Sequence, residues 1–155
     1  MPATLLHGHD EAVLQYLESL QWQRVGCDRA LGIINDNGYL VGAVLFHCYN
    51  GFNVELSYYG ERTMTPGIIR GIAEYTIYTF NAARLTVTTS KRNHNFKRAL
   101  LKIGFKFEGT QRCWYGHRDS ARNTGARFVM FRDRLNQIAR VTNAADAPTG
   151  GSAPE

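Results

Sequence analysis

The hydrophobic period of this chain changes partway along, and that change restricts the fold more than any other feature. Over residues 30–59 the apolar runs have strand character, punctuated by two turn signals, Asp36-Asn37-Gly38 and Tyr49-Asn50-Gly51. Asn-Gly supplies the positive-φ residues that tight hairpin turns need. The spacing therefore predicts three strands, LGIIN, YLVGAVLFHCY and FNVELSYY, folded as an antiparallel meander. In the third strand Phe52, Val54, Leu56 and Tyr58 share one face, and Asn53, Glu55, Ser57 and Tyr59 share the other.

After Gly60 the period becomes helical. Pro66 suits a first helical turn with Thr65 as N-cap, and Ile68, Ile69, Ile72, Tyr75, Thr76 and Thr79 continue the spacing as far as Asn81. A β-branched run, RLTVTT at 84–89, reads as a strand. Residues 93–103 read as a helix with Phe96, Leu100 and Ile103 as its apolar stripe and Gly104 as its C-cap. Strands at 105–111 and 126–131 follow, separated by a polar stretch. At the other end, residues 10–20 carry Val13, Leu14, Leu17 and Leu20 on one helical stripe, with Asp10 placed as N-cap. Helices that join strands make crossovers, so the expected class is α/β: a mixed, mostly antiparallel sheet with helices on both faces.

A chain of 155 residues with 44% hydrophobic and 20% charged side chains has enough apolar material for one folded domain, expected over 1–140. Residues 141–155 are small, polar or Gly/Pro and read as a flexible tail. No apolar run reaches the roughly 18 residues of a membrane helix, and no signal-peptide pattern opens the chain. Three cysteines, Cys27, Cys48 and Cys113, are odd in number and widely spaced, as reduced thiols in a cytoplasmic protein would be. Charge is asymmetric: residues 1–60 hold two basic against six acidic side chains, a net of −4, whereas 61–155 hold sixteen against seven, a net of +9. The basic half suits an anionic partner, either a polynucleotide or a nucleotide cofactor.

The most specific local signal is NHNFKRALLKIGFKFEG, residues 93–109: an Asn opening a short helix, Gly104-Phe105 eleven residues later, Glu108-Gly109, then Arg112. It resembles the second half of the GNAT superfamily of acyl-coenzyme A N-acyltransferases, and the element order over 30–131 is similar to that family's. The nearest branch acetylates protein N-termini and includes short proteins encoded by bacteriophages, which would place this protein in a host cytoplasm. The resemblance implies a GNAT fold with a splay between two parallel central strands, and acetyl-coenzyme A as the cofactor. Leu56, Ser57 and Tyr58 would offer backbone groups to the pantetheine arm. Met64, Thr65, Gly67 and Arg70, with Arg62, would surround the pyrophosphate, and Asn93 would contact the cofactor.

Two departures accompany the resemblance. The glycine-rich phosphate signature is replaced by Glu61-Arg62-Thr63-Met64-Thr65-Pro66-Gly67, and the family's general-acid Tyr position is Leu100.

The resemblance makes Glu55 the leading general base, a partly desolvated carboxylate able to take a proton from an ammonium acceptor. Tyr59 joins it as a catalytic candidate, with His47 and water as substitutes for the base. The acceptor stays open among a protein N-terminus, a lysine, a polyamine, an aminoglycoside and a modified base, and a homodimer is one expected assembly. The competing reading is a catalytically weakened GNAT fold that binds nucleic acid, a virion component or a partner protein. Its cationic surface would be Lys91, Arg92, Lys97, Arg98, Lys102, Lys106, Arg112, Arg118, Arg122 and Arg127.

No metal site is expected. His7 and His9 lack a third ligand and lie in a segment read as frayed, and His47 and Cys48, adjacent on a strand, should point to opposite faces. His94 reads as solvent-facing, His117 as a residue of the polar loop 115–125 with the lining of an acceptor cleft as its alternative, and Trp114 and Tyr115 as edge packing at a strand end.

Overall fold

The three-strand meander is present, and each of its turns is organised by an asparagine. The computed structural model describes residues 3–20, 26–60 and 63–140. The tail expected at 141–155 lies outside the described residues, as does Arg62. Strands β2 (Arg29–Ile34), β3 (Leu40–His47) and β4 (Asn53–Tyr59) pair antiparallel in sequence order. Of the Asn37-Gly38 pair only Gly38 takes a positive φ, of 80°, and the turn is held instead by Asn35. The Asn35 side chain accepts the N–H groups of Asn37 and Tyr39, both at 3.0 Å. Asn50 does the same work before β4, accepting from Phe52 and Asn53 at 3.0 and 2.8 Å.

Helix α2 (Pro66–Glu74) begins where the period changes, and Thr65 caps it by accepting the Ile68 N–H at 3.3 Å. It runs into a π-helical turn, Tyr75–Thr79, where Thr76 bonds the Ile72 carbonyl and the Phe80 N–H reaches back to Tyr75 at 3.3 Å. Asn81, at φ 49°, ends it. Strand β5 (Arg84–Ser90), helix α3 (His94–Ile103), strand β6 (Lys106–Gln111) and strand β7 (Gly125–Phe131) follow. Asn93 caps α3 by accepting the Phe96 N–H, and Gly104 closes it at φ 120°.

Two expectations needed correction at the chain ends, and one helix had not been anticipated. Strand β1 (Thr4–Leu6) pairs antiparallel with β2, although three residues are too few to show a period. The segment read as frayed is therefore anchored, and His7 stacks on Tyr75 with ring centroids 5.5 Å apart. Helix α1 (Asp10–Ser19) is capped by His9 without a side-chain bond; the Asp10 carboxylate instead accepts the Ala30 N–H at 2.9 Å and pins the helix to β2. Helix α4 (Arg132–Arg140) follows β7 directly, and buries Leu135 and Ala139 beneath an otherwise charged surface. Its Arg134 donates to the Ile103 carbonyl at 2.8 and 3.1 Å, so a cation covers the negative end of the α3 dipole. A β-carbon at Gly104 would stand 2.5 Å from that guanidinium's Nε, which is a second reason for glycine there.

The sheet order is β1-β2-β3-β4-β5-β7-β6, and β4–β5 is the parallel pair among the described strands. Alternation divides the core. Leu31, Ile33, Val44, Phe46, Val54, Leu56, Leu85 and Val87 pack beneath residues of α2, α3 and α4. Ala30, Ala43 and Leu45 point the other way, under Val13 and Leu17 of α1. This is the mixed α/β architecture expected, with helices on both faces. No described helix is long and apolar enough to cross a membrane.

Candidate functional site

Parallel pairing between β4 and β5 stops at Leu56 and Val87, yet β4 continues to Tyr59 and β5 to Ser90. The strands part there, and a cleft of about 600 Å³ opens, lined by Tyr16, Val41, Ser57, Tyr58, Tyr59, Thr89 and Tyr115 among others. A groove of about 410 Å³ shares Tyr58, Gly60 and Thr89 with it and continues past Met64, Asn93 and Phe96. Both volumes are of the size that takes a small ligand. Gly60, at φ 132°, turns the chain between them. A β-carbon on it would lie 2.8 Å from the Thr63 hydroxyl and 3.1 Å from the Gly42 Cα, so only glycine fits.

Backbone in the splay resembles a sheet edge, with N–H and C=O groups released from a ladder. Leu56 is the last paired residue and its side chain is buried in the core, so only its backbone bears on the splay. Ser57 and Tyr58 follow in the cleft wall. Met64 lines the groove, and Thr65, Pro66 and Gly67 form the N-terminus of α2, whose first N–H groups and dipole favour an anion. Among the described residues outside its own helix backbone, the nearest atom to a β-carbon placed on Gly67 is Thr65 Oγ1 at 3.9 Å, and Pro66 and Gly67 are exposed. Arg70 is half-buried one turn further on. Asn93 borders the groove, but its carboxamide is engaged: Oδ1 caps α3 and Nδ2 donates to Thr89 Oγ1 at 3.2 Å, tying the helix start to the end of β5.

Three tyrosines set the cleft's proton chemistry. Burial pushes the Tyr58 phenol up, against a hydrogen bond with Thr63 that lowers it. Burial likewise raises Tyr59, opposed by a hydrogen bond with Ser57, and raises Tyr115, with Tyr59 adding to the effect. All three are phenols at neutral pH, suited to donate a proton or a hydrogen bond rather than to take one. Leu100, the position expected to lack the general acid, is buried in the core. Tyr58, stacked on Phe96 with centroids 6.4 Å apart, lines the groove, and its hydroxyl bonds Thr63.

Glu55 lies one residue before the last paired position, on the face shared with Ser57 and Tyr59. It is not a free carboxylate. Arg127 Nη2 donates to Oε1 at 2.8 Å, and His47 Nδ1 stands 3.5 Å from Oε2. Arg127 also approaches Glu108 at 3.7 Å, Glu108 pairs with Arg84, and Arg84 donates to Asn53 at 3.2 Å. A charged network therefore crosses the face of β4, β5, β7 and β6. Arg127 is thereby withdrawn from the expected cationic surface, and Arg112, though exposed, is paired with Asp119. Lys91, Arg92, Arg98, Lys102, Lys106, Arg118 and Arg122 are exposed, and Lys97 is half-buried.

The expectation that His47 and Cys48 face apart is overturned. Strand β3 ends at His47, and Cys48 takes a left-handed φ of 54°, so alternation no longer governs it. The thiol turns back toward Glu55, and the donor atoms of His47, Cys48 and Glu55 all lie within 4.8 Å of one another. Burial lowers the His47 imidazole, although Glu55 and Asp28 oppose this. Burial and Glu55 push the Cys48 thiol up, so it is not the thiolate that a nucleophilic cysteine requires. His47 Nε2 bonds Ser57 Oγ at 2.8 Å, which links this cluster to the cleft.

The sequence reading missed Tyr16, Thr63, Thr89 and Tyr115. Tyr16 lies off the α1 stripe, and Tyr115 lies in the loop after β6 rather than packing a strand end. Neither had a periodic signal to give it away.

No protein-family model matches the sequence, and no curated protein matches it. Solved structures do match in fold. A mutant form of the spermidine/spermine N-acetyltransferase SpeG from Vibrio cholerae superposes with a TM-score of 0.69 at 13% identity, covering 88% of this chain and 98% of that one. A GCN5-related N-acetyltransferase from Brucella melitensis gives 0.58 at 19% identity, covering 72% and 54%. A GNAT-family acetyltransferase from Bacillus anthracis gives 0.56 at 17%, covering 67% and 66%. At such identities the likeness establishes the fold: this chain has the GNAT architecture.

Proposed function

We propose that the protein is an N-acyltransferase that moves an acetyl group from acetyl-coenzyme A to an amine by direct transfer. The observation that carries this reading is the splay, in which β4 and β5 separate after Leu56 and Val87 beside the N-terminus of α2. A pantetheine arm laid along Ser57 and Tyr58 would complete the interrupted ladder, and its pyrophosphate would reach the N–H groups around Gly67. The named activities of the structural neighbours support acyl transfer to an amine.

The amine approaches from the face of Glu55, Ser57 and Tyr59. Glu55 takes the proton that the ammonium sheds. The Tyr59 phenol donates a hydrogen bond to the thioester carbonyl as its oxygen gains charge. Tyr58 stands on the cofactor side, where the departing thiolate needs a proton. The acceptor is a protein N-terminus on the resemblance to the N-terminal-acetylating, phage-encoded branch, or a polyamine by analogy with the SpeG neighbours.

Thermal denaturation tests the cofactor. Acetyl-coenzyme A at a hundred times its Kd should add about 2.7 kcal/mol of stability, and no shift at millimolar cofactor overturns the reading. Glu55→Gln should lower turnover by roughly 10²-fold while cofactor affinity is kept.

The second reading, a GNAT fold that binds without turnover, is favoured by one observation: Leu100 is committed to the core. It predicts a cofactor-induced shift with no acetylated product across an amine panel. If nucleic acid is the partner, it also predicts binding that weakens steeply with salt.

A further inference from the structure

The cluster at the end of β3 contains three donor types that together suit a transition metal. We propose that His47 Nδ1, Cys48 Sγ and Glu55 Oε2 form a binding site for a divalent ion of the zinc class, with a fourth position open to water. The site does not depend on the acyl-transfer reading.

Position comes first. His47 and Glu55 are directly opposed in the β3–β4 register, so their side chains leave the same face of the sheet. The left-handed backbone at Cys48 brings the thiol to that face, a conformation that side chains other than glycine adopt uncommonly and that often marks a functional site. All three donor atoms lie within 4.8 Å of one another. Tetrahedral coordination at zinc's bond lengths needs about 3.3–3.8 Å between ligands. His47 Nδ1 and Glu55 Oε2, 3.5 Å apart, already meet that spacing, and Cys48 is the exposed member of the three.

The outer contacts leave the right lone pairs free. His47 Nε2 is held by the Ser57 hydroxyl at 2.8 Å, leaving Nδ1 to the ion. Glu55 Oε1 is held by Arg127 at 2.8 Å, leaving Oε2. Such outer hydrogen bonds orient metal ligands and select the tautomer. Charge is balanced as well. A thiolate and a carboxylate neutralise a divalent ion, and the nearby Arg127 is offset by Glu108 at 3.7 Å, with Asp28 acting on both His47 and Cys48. On binding, the Cys48 S–H proton leaves to solvent as the metal–sulfur bond forms; nothing is oxidised or reduced. An ion held by Glu55 cannot coexist with proton transfer to that oxygen, so the two uses of Glu55 exclude each other.

Cobalt(II) titration of the reduced, chelator-treated full chain tests the site without any activity assay. The expected result is one cobalt per chain, with a thiolate-to-cobalt charge-transfer band in the near ultraviolet, intense tetrahedral d–d bands, and displacement by zinc. Cys48→Ser should abolish the charge-transfer band, and Ser57→Ala should weaken binding by about 10- to 100-fold. The Cys27→Ser/Cys113→Ser double variant should leave the spectrum intact. Absence of the band in the parent protein overturns the proposal. So does a band that survives Cys48→Ser, or one lost from the Cys27/Cys113 variant while its far-ultraviolet circular dichroism is unchanged.

Discussion

The two faces of the sheet are finished differently. One is closed: α2, α3 and α4 cover β2, β3, β4, β5 and β7, and Leu85 of β5, Leu100 of α3 and Leu135 of α4 have essentially no exposure. The other is covered by α1 over β2 and β3, where Val13 and Leu17 meet Ala30, Ala43 and Leu45. Beyond α1 that face carries Glu55, Thr86, Arg84, Glu108 and Arg127, joined by ion pairs and hydrogen bonds instead of apolar packing. The difference separates stability from chemistry. Apolar burial scales with covered area, so the closed face supplies most of the stability. The half-open face keeps polar groups oriented and accessible, and the cleft adjoins it through Ser57 and Tyr59.

Truncating one side chain on each face puts this division to its hardest test. Leu135→Ala, on the closed face, should cost about 2–5 kcal/mol, because neighbours relax only partly around the cavity. Denaturant titration reads this. On the other face, Arg127→Met should cost about 1.5–3 kcal/mol, the scale for hydrogen bonds to charged groups, since both it and Glu55 are only about one-fifth exposed. A larger loss for Arg127→Met than for Leu135→Ala would overturn the division of labour.

Alkaline pH probes the cleft through its three tyrosines. Tyr58, Tyr59 and Tyr115 hold their protons more tightly folded than unfolded, so their contribution is complete below the ordinary phenol value of 10.0. Stability should then fall as pH rises through the window above it. Melting temperatures between pH 8 and 11 check this, and a Tyr58→Phe/Tyr59→Phe variant should show a shallower decline. The smallest effect belongs to Arg112 and Asp119, a fully exposed pair. Arg112 holds the Asp119 carboxyl below its ordinary 3.8, so any contribution exists above that value and disappears as pH falls through the folded pKa. Asp119→Asn should leave the melting temperature at pH 7 unchanged within error.

The meander, helices α2 and α3, and the caps Thr65, Asn93 and Gly104 were all legible in the order of the residues. Period, turn residues and capping chemistry are local, and each is satisfied within a few positions of the chain. The two faces of β4, Val54 and Leu56 against Glu55 and Ser57, were legible for the same reason. Local signals failed where an element was too short or too polar to display a period, as for β1 and the charged α4. They failed again where one backbone angle overrode alternation, as at Cys48. The pairing of Arg127 with Glu55, seventy-two residues apart along the chain, came from the three-dimensional packing alone. So did the reach of Tyr115 from a loop into the cleft, and the engagement of the Asp10 carboxylate by Ala30. These contacts depend on strand order and on where each strand stops pairing. Both follow from how two packed layers share one sheet, which no window of neighbouring residues contains.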